Sequence, residues 1–144
     1  MPIWLRETQY EGDNNHGTII LNSQDEYDEI WGPIFKMEIN WEKKERSNLL
    51  FYKETQNSID LYNAIGLVVT EKEKDWLMSH EIVFWYGHRN KMIRKRFYTE
   101  RAIHCVFYCD ISEKIYNCHT SIIESMYENY KPYVLKAYRS IICH

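Results

Sequence analysis

Glycine is scarce in this chain, and the loops that cradle phosphates are missing. The five glycines, at positions 12, 17, 32, 66 and 87, form neither a GxGxxG nor a GxxxxGK(S/T) arrangement, which excludes the motif-borne modes of dinucleotide and nucleoside-triphosphate binding. No window reaches the roughly eighteen consecutive apolar residues of a spanning helix. The opening Met1-Pro2-Ile3-Trp4-Leu5-Arg6-Glu7 has neither the basic start nor the apolar core of a secretory signal. Repeats, low-complexity stretches and linkers are also lacking, so residues 1–144 are expected to form a single α+β domain in the cytoplasm, without membrane contact. Cysteine is absent from the first hundred residues; Cys105, Cys109, Cys118 and Cys143 cluster near the end. With no export signal they read as reduced thiols packed as small hydrophobes.

Aromatic residues are abundant, with five Trp, twelve Tyr and five Phe in 144 residues. That density argues against disorder. Charge is divided unevenly: residues 1–88 hold eight Lys/Arg against sixteen Asp/Glu, while residues 89–144 hold ten against five. The formal net charge of −3 therefore conceals an acidic half followed by a basic one, a dipole suited to oriented docking on a charged partner.

Three Ser/Thr-x-x-Glu sequences, Ser23…Glu26, Thr70…Glu73 and Ser121…Glu124, have the form of capping boxes and predict helix starts. After Ser23, the residues Tyr27, Ile30, Trp31, Ile34 and Phe35 recur on one helical stripe, with Gly32-Pro33 ending it early. A brief helix is expected from Thr70 to about Ser79, and another over Ser58 to Ile65, closed by Gly66. The longest stripe runs Ile123, Met126, Tyr127, Tyr130, Val134, Ala137, Tyr138 and Ile141, and Pro132 either kinks or divides it. Between the second and third boxes the period changes to that of strands. The expected meander has strands over Ile82 to Tyr86, Lys91 to Tyr98, Ala102 to Cys109 and Lys114 to Cys118, with turns at Gly87 to Asn90 and Asp110 to Glu113. Further strands are expected over Pro2 to Glu7, Gly17 to Leu21 and Met37 to Glu42, leaving Ser47 to Lys53 ambiguous. Together these predict a mostly antiparallel sheet packed against a helix near the amino terminus and a kinked carboxy-terminal helix.

No cofactor is expected, and no metal. His104, Cys105, Cys109, Cys118, His119, Cys143 and His144 are the right chemistry for zinc, but only Cys105 and Cys109 have knuckle spacing. On one strand, α-carbons four residues apart stand about 13 Å from each other, too far to share an ion. No cysteine-protease signature surrounds the thiols, and lone histidines on strands are ordinary packing residues, so no catalytic residue is assigned. Two surfaces stand out as binding candidates. One is acidic: Asp25, Glu26, Asp28 and Glu29 with Trp31 as an aromatic anchor. The other is basic: Arg89, Lys91, Arg94, Lys95, Arg96 and Arg101, interleaved with Trp85, Tyr86, Phe97 and Tyr98, a composition that suits nucleic acid.

The expectation drawn from these features is a non-enzymatic inhibitor of the immunity or antitoxin kind. It would cover the active site of a cognate basic toxin, plausibly a nuclease, with its acidic surface. A nucleic-acid-binding or nuclease module built on residues 85–101 is the alternative. A viral or host-interaction factor is a third.

Overall fold

A computed structural model describes residues 5–13, 15–48, 50–77 and 80–141. Nine strands are seen among them. Strands β1 (Leu5–Gly12), β2 (His16–Ser23) and β5 (Phe35–Lys43) precede helix α1 (Phe51–Asn63). A small hairpin, β3 (Glu26–Asp28) with β4 (Gly32–Pro33), is inserted between β2 and β5. Four long strands follow, β6 (Val68–Leu77), β7 (His80–Ile93), β8 (Arg96–Cys109) and β9 (Lys114–Ile123), and helix α2 (Glu124–Arg139) closes the chain. Seven strands make one antiparallel sheet in the order β1-β2-β5-β9-β8-β7-β6. The meander of β6 to β9 is thus joined to the amino-terminal strands through the β5–β9 pairing, and the α+β architecture stands.

The two faces of the sheet differ. On one, Phe35, Met37, Ile82, Phe84, Ile103, Phe107 and Ile122 pack with Val134 and Tyr138 of α2 into the main core. Tyr138 is fully buried there; its hydroxyl donates to the Ile103 carbonyl at 3.1 Å and meets the Thr120 hydroxyl. On the other face α1 lies over β7, β8 and β9, with Ile59 against Trp85 and Ala102, and Phe51 against Val106, Tyr108 and Ile115. Residues 102–109 of β8 are consequently buried on both faces, the usual state of a central strand covered by helices. Beyond α1, over β1, β2 and β5, this second face carries no helix among the described residues.

Several predicted elements are corrected. No helix follows Ser23. The Ser23 hydroxyl donates to the Asp25 carbonyl, Asp28 Oδ1 accepts from the amides of Ile30 and Trp31, and Gly32 takes φ +89°, so the segment turns as a hairpin. Side chains that would cap a helix here close a turn instead. The amino-proximal helix is α1, whose buried Thr55, Ser58 and Ile59 make a weakly apolar stripe. The Thr70…Glu73 segment is not helical either. It lies in β6, an edge strand, where Glu71, Lys72, Glu73 and Lys74 are exposed, as suits a sheet edge that must not pair further.

The expected turn at Gly87 to Asn90 is strand. The chain reverses instead at Arg94 and Lys95, both at positive φ. Gly87 serves contact rather than turning, because a β-carbon there would stand 2.6 Å from the Val68 carbonyl oxygen of β6. The helix predicted after Ser121 is present as α2, but its N-cap is Ile123 without a side-chain cap, and Ser121 remains in β9. Pro132 lies inside this single helix and does not divide it. The Asp110 to Glu113 turn and the Met37, Ile39, Trp41 alternation match the sequence reading. The predicted amino-terminal strand begins on residues outside the described ones.

Candidate functional site: the open polar face

Alternation along the strands decides what lines the uncovered half-face. In β2 and β5 the residues between the core positions are Thr18, Ile20 and Asn22, then Lys36, Glu38, Asn40 and Glu42. The matching positions of β9 are Asn117, His119 and Ser121. They floor two neighbouring clefts, and α1 contributes Glu54 to one and Tyr62 to the other. Residues 54, 58 and 62 fall on one helical face, so α1 forms the wall of both.

The first cleft, of about 760 Å³, lies at the β1–β2 turn and is rimmed by Glu11, Asp13, Glu42 and Glu54. Glu54 is paired with Lys44. Asp13 accepts from the amides of Asn15 and His16, which hold its carboxyl below the usual range. Glu11 and Glu42 are exposed and enter no ion pair among the described residues. The second cleft, of about 620 Å³, adjoins it along the same strands, with Ile20, Glu38 and His119 each two positions, about 7 Å, from Thr18, Asn40 and Asn117 of the first.

Behind the second cleft is a buried polar network. His104 of β8 and His119 of β9 pair directly across the strands, with their Nδ1 atoms 3.0 Å apart. His104 Nε2 meets Asn117 Oδ1 at 3.0 Å. Tyr62 stacks on His119 at 3.9 Å and Trp85 on His104 at 4.6 Å. The indole N–H of Trp85 donates to the Ser58 hydroxyl at 2.9 Å, which in turn donates to the Thr55 carbonyl. Desolvation lowers the pKa of His104 to about 4, and the same cause, with His104, Arg89 and Lys91 nearby, puts His119 well below its ordinary value. Burial likewise pushes the Tyr62 phenol up to about 12. Both imidazoles are therefore neutral near pH 7.

Next to them Glu100 is only 2 % exposed. Arg89 Nε reaches one of its oxygens at 2.6 Å and Lys91 Nζ the other at 3.1 Å. The chain matches no protein-family model, and no curated protein is similar to it at a significant level. Function must therefore be argued from this geometry.

The residues singled out in the sequence are divided by the fold. Asp25, Glu26 and Glu29 are exposed on and beside the β3–β4 hairpin. Asp28 is occupied in the turn and by the Tyr98 hydroxyl at 3.0 Å; those backbone and side-chain donors lower its pKa. Trp31 packs on Tyr98 and lines the second cleft, with Lys91 above its ring. The basic group is dispersed. Arg89 and Lys91 line that cleft, Arg94 and Lys95 form the hairpin turn, and Arg101 stacks on Tyr127 of α2 and pairs with Glu124.

The cysteines are partly corrected. Cys105 and Cys118 are buried free thiols, directly paired across β8 and β9, but Cys109 is disulfide-bonded. Cys143 and His144 lie outside the described residues. The sequence reading missed Tyr62, Asn117 and Glu100 as site residues. It had a signal for the histidine pair: a four-residue turn at Asp110 to Glu113 places His104 opposite His119 and Cys105 opposite Cys118, symmetrically about it.

Proposed function

We propose that the chain is a non-enzymatic binding domain that captures a basic protein, in the manner of an immunity or antitoxin-like inhibitor, and that it does so through the acidic cleft. The observation carrying this reading is the placement of Glu11 and Glu42, exposed and unpaired among the described residues, at the mouth of a cleft that Asp13 also rims. Such an opening favours an incoming lysine or arginine. Asp25, Glu26 and Glu29, at the other end of β2 and β5, add a second negative patch that steers approach. Asp28 is left out because its carboxylate already closes the hairpin turn.

The nucleic-acid alternative finds less support, because the basic residues form no continuous strip: Arg101 stacks on Tyr127 of α2, while Arg89 and Lys91 are recessed in the second cleft. A cytoplasmic setting belongs to the inhibitor reading.

The test screens the basic proteins encoded within a few genes of this chain for one-to-one binding and takes forward any that binds; if none binds, the reading is overturned. The association rate of that binder is measured at two ionic strengths with the unaltered protein and with a Glu11→Lys/Glu42→Lys variant. The variant should associate about tenfold more slowly, with a shallower salt dependence. Equal rates and equal salt slopes would remove the cleft from the interface. Salt-sensitive retention on RNA that is lost on replacing Arg94, Lys95 and Arg96 would favour the alternative.

A further inference from the structure

The second cleft has properties that a mere gap in packing would lack. Its back wall holds one carboxylate, Glu100, between two cations, Arg89 and Lys91. Within that wall the charge is one positive in excess, in a place where burial weakens screening. Lys36 and Glu38, on the floor, offset one another. Asn22 lines the same cleft and presents a buried Oδ1 that has no hydrogen-bond partner among the described residues.

The proton positions in the histidine pair follow from the hydrogen bonds. Asn117 Oδ1 can only accept, so His104 Nε2 carries a hydrogen. A neutral His104 then has a bare Nδ1, and the contact at 3.0 Å requires His119 Nδ1 to donate to it. His119 in turn is left with a bare Nε2. That side chain is 8 % exposed and lines the cleft, so a lone pair is turned toward its interior. The stacking of Tyr62 on one imidazole and Trp85 on the other fixes both ring planes.

From this arrangement we infer that the second cleft binds a small organic anion, a carboxylate or a phosphate, that also bears a hydroxyl group. Its acid group faces Arg89 and Lys91, and a hydroxyl donates to His119 Nε2. An ammonium donor would satisfy that acceptor as well, but it would approach a wall already positive. At about 620 Å³ the opening falls in the range of small-molecule sites. Trp31, half-buried at the edge and beneath Lys91, gives the carbon skeleton an apolar surface. The inference is independent of the acidic cleft and of its basic partner.

The experiment reads the ¹⁵N resonance of His119 Nε2 in the unaltered chain, so that it does not depend on a variant folding. The probes are D-gluconate and ribose 5-phosphate, which distinguish a carboxylate from a phosphate. Acetate supplies an acid without a hydroxyl, and erythritol hydroxyls without an acid, all at concentrations on the order of 10 mM. The expected result is that the resonance moves with at least one hydroxylated anion and with neither control. Lys91→Met, which keeps the side-chain stem, should then weaken that binding about tenfold. A resonance still at its free position with both hydroxylated anions, or one that responds equally to acetate or erythritol, would overturn the inference. So would affinity unchanged in a folded Lys91→Met protein.

Discussion

His104 and His119 are uncharged in the folded protein because burial makes the charged ring costly, and this ties stability to pH. In the unfolded chain each titrates near pH 6.5; in the folded one His104 titrates near 4 and His119 also well below its ordinary value. Below about pH 6.5 the unfolded state binds more protons, so stability is fully present above that pH and falls as the medium is acidified toward 4. For His104 the loss is on the order of 3 kcal/mol. The urea midpoint should therefore drop steeply between pH 7 and 4.5 in the natural protein and much less in a His104→Gln/His119→Gln variant. Parallel pH profiles for the two proteins would show that the pair is not what acid attacks. At this scale the sequence was only partly legible. The turn at Asp110 fixes which residues oppose one another, but nothing in the residue types showed that Tyr62 would travel from α1 to stack on His119.

Elements were legible where one period was unopposed and illegible where side chains competed for the backbone. The stripe of α2 and the alternation of β5 each bury one face, and both were read correctly. Ser23 to Phe35 carries a helical stripe as well, yet the Asp28 carboxylate and the positive φ of Gly32 capture the chain in a turn. Gly87 shows the same limit in reverse, since a glycine read as punctuation is instead a point of close approach. A Gly87→Ala substitution should cost about 1–3 kcal/mol, because the β-carbon must displace the β6 backbone at Val68. Hydrogen exchange should localise that loss to β6, the edge strand. An alanine variant as stable as its parent, with unchanged protection in β6, would mean that the edge yields without strain.

For the molecule as a whole, the charge division seen in the sequence does not become one acidic and one basic side. Many carboxylates are consumed internally. Glu54 meets Lys44, Asp75 meets Arg139, Glu81 meets Lys74, Asp110 meets Arg46, and Glu100 holds two cations. Of the exposed carboxylates outside these pairs, Glu11 and Glu42 stand at one end of the open face and Asp25, Glu26 and Glu29 at the other, beside the cation-lined cleft, while Asp60, Glu71, Glu73 and Glu128 lie away from it on α1, β6 and α2. A partner reading this surface meets an ordered change of sign along β2 and β5 rather than a uniform field.

The thiols pose the remaining question at this scale. Cys105 and Cys118 are buried and reduced, with the Cys105 thiol pushed up by burial and by its hydrogen bond to Cys118, so neither is poised to react. Cys109 is bonded. If that bond exists in the living cell, alkylation of intact cells followed by denaturation without a reductant should modify only two of the four cysteines, read by mass. The cytoplasmic reading expects four adducts; two would show that the bond persists in the working protein and would overturn that reading. Four adducts would mean that Cys109 is a thiol until extraction, and the cytoplasmic assignment would then hold.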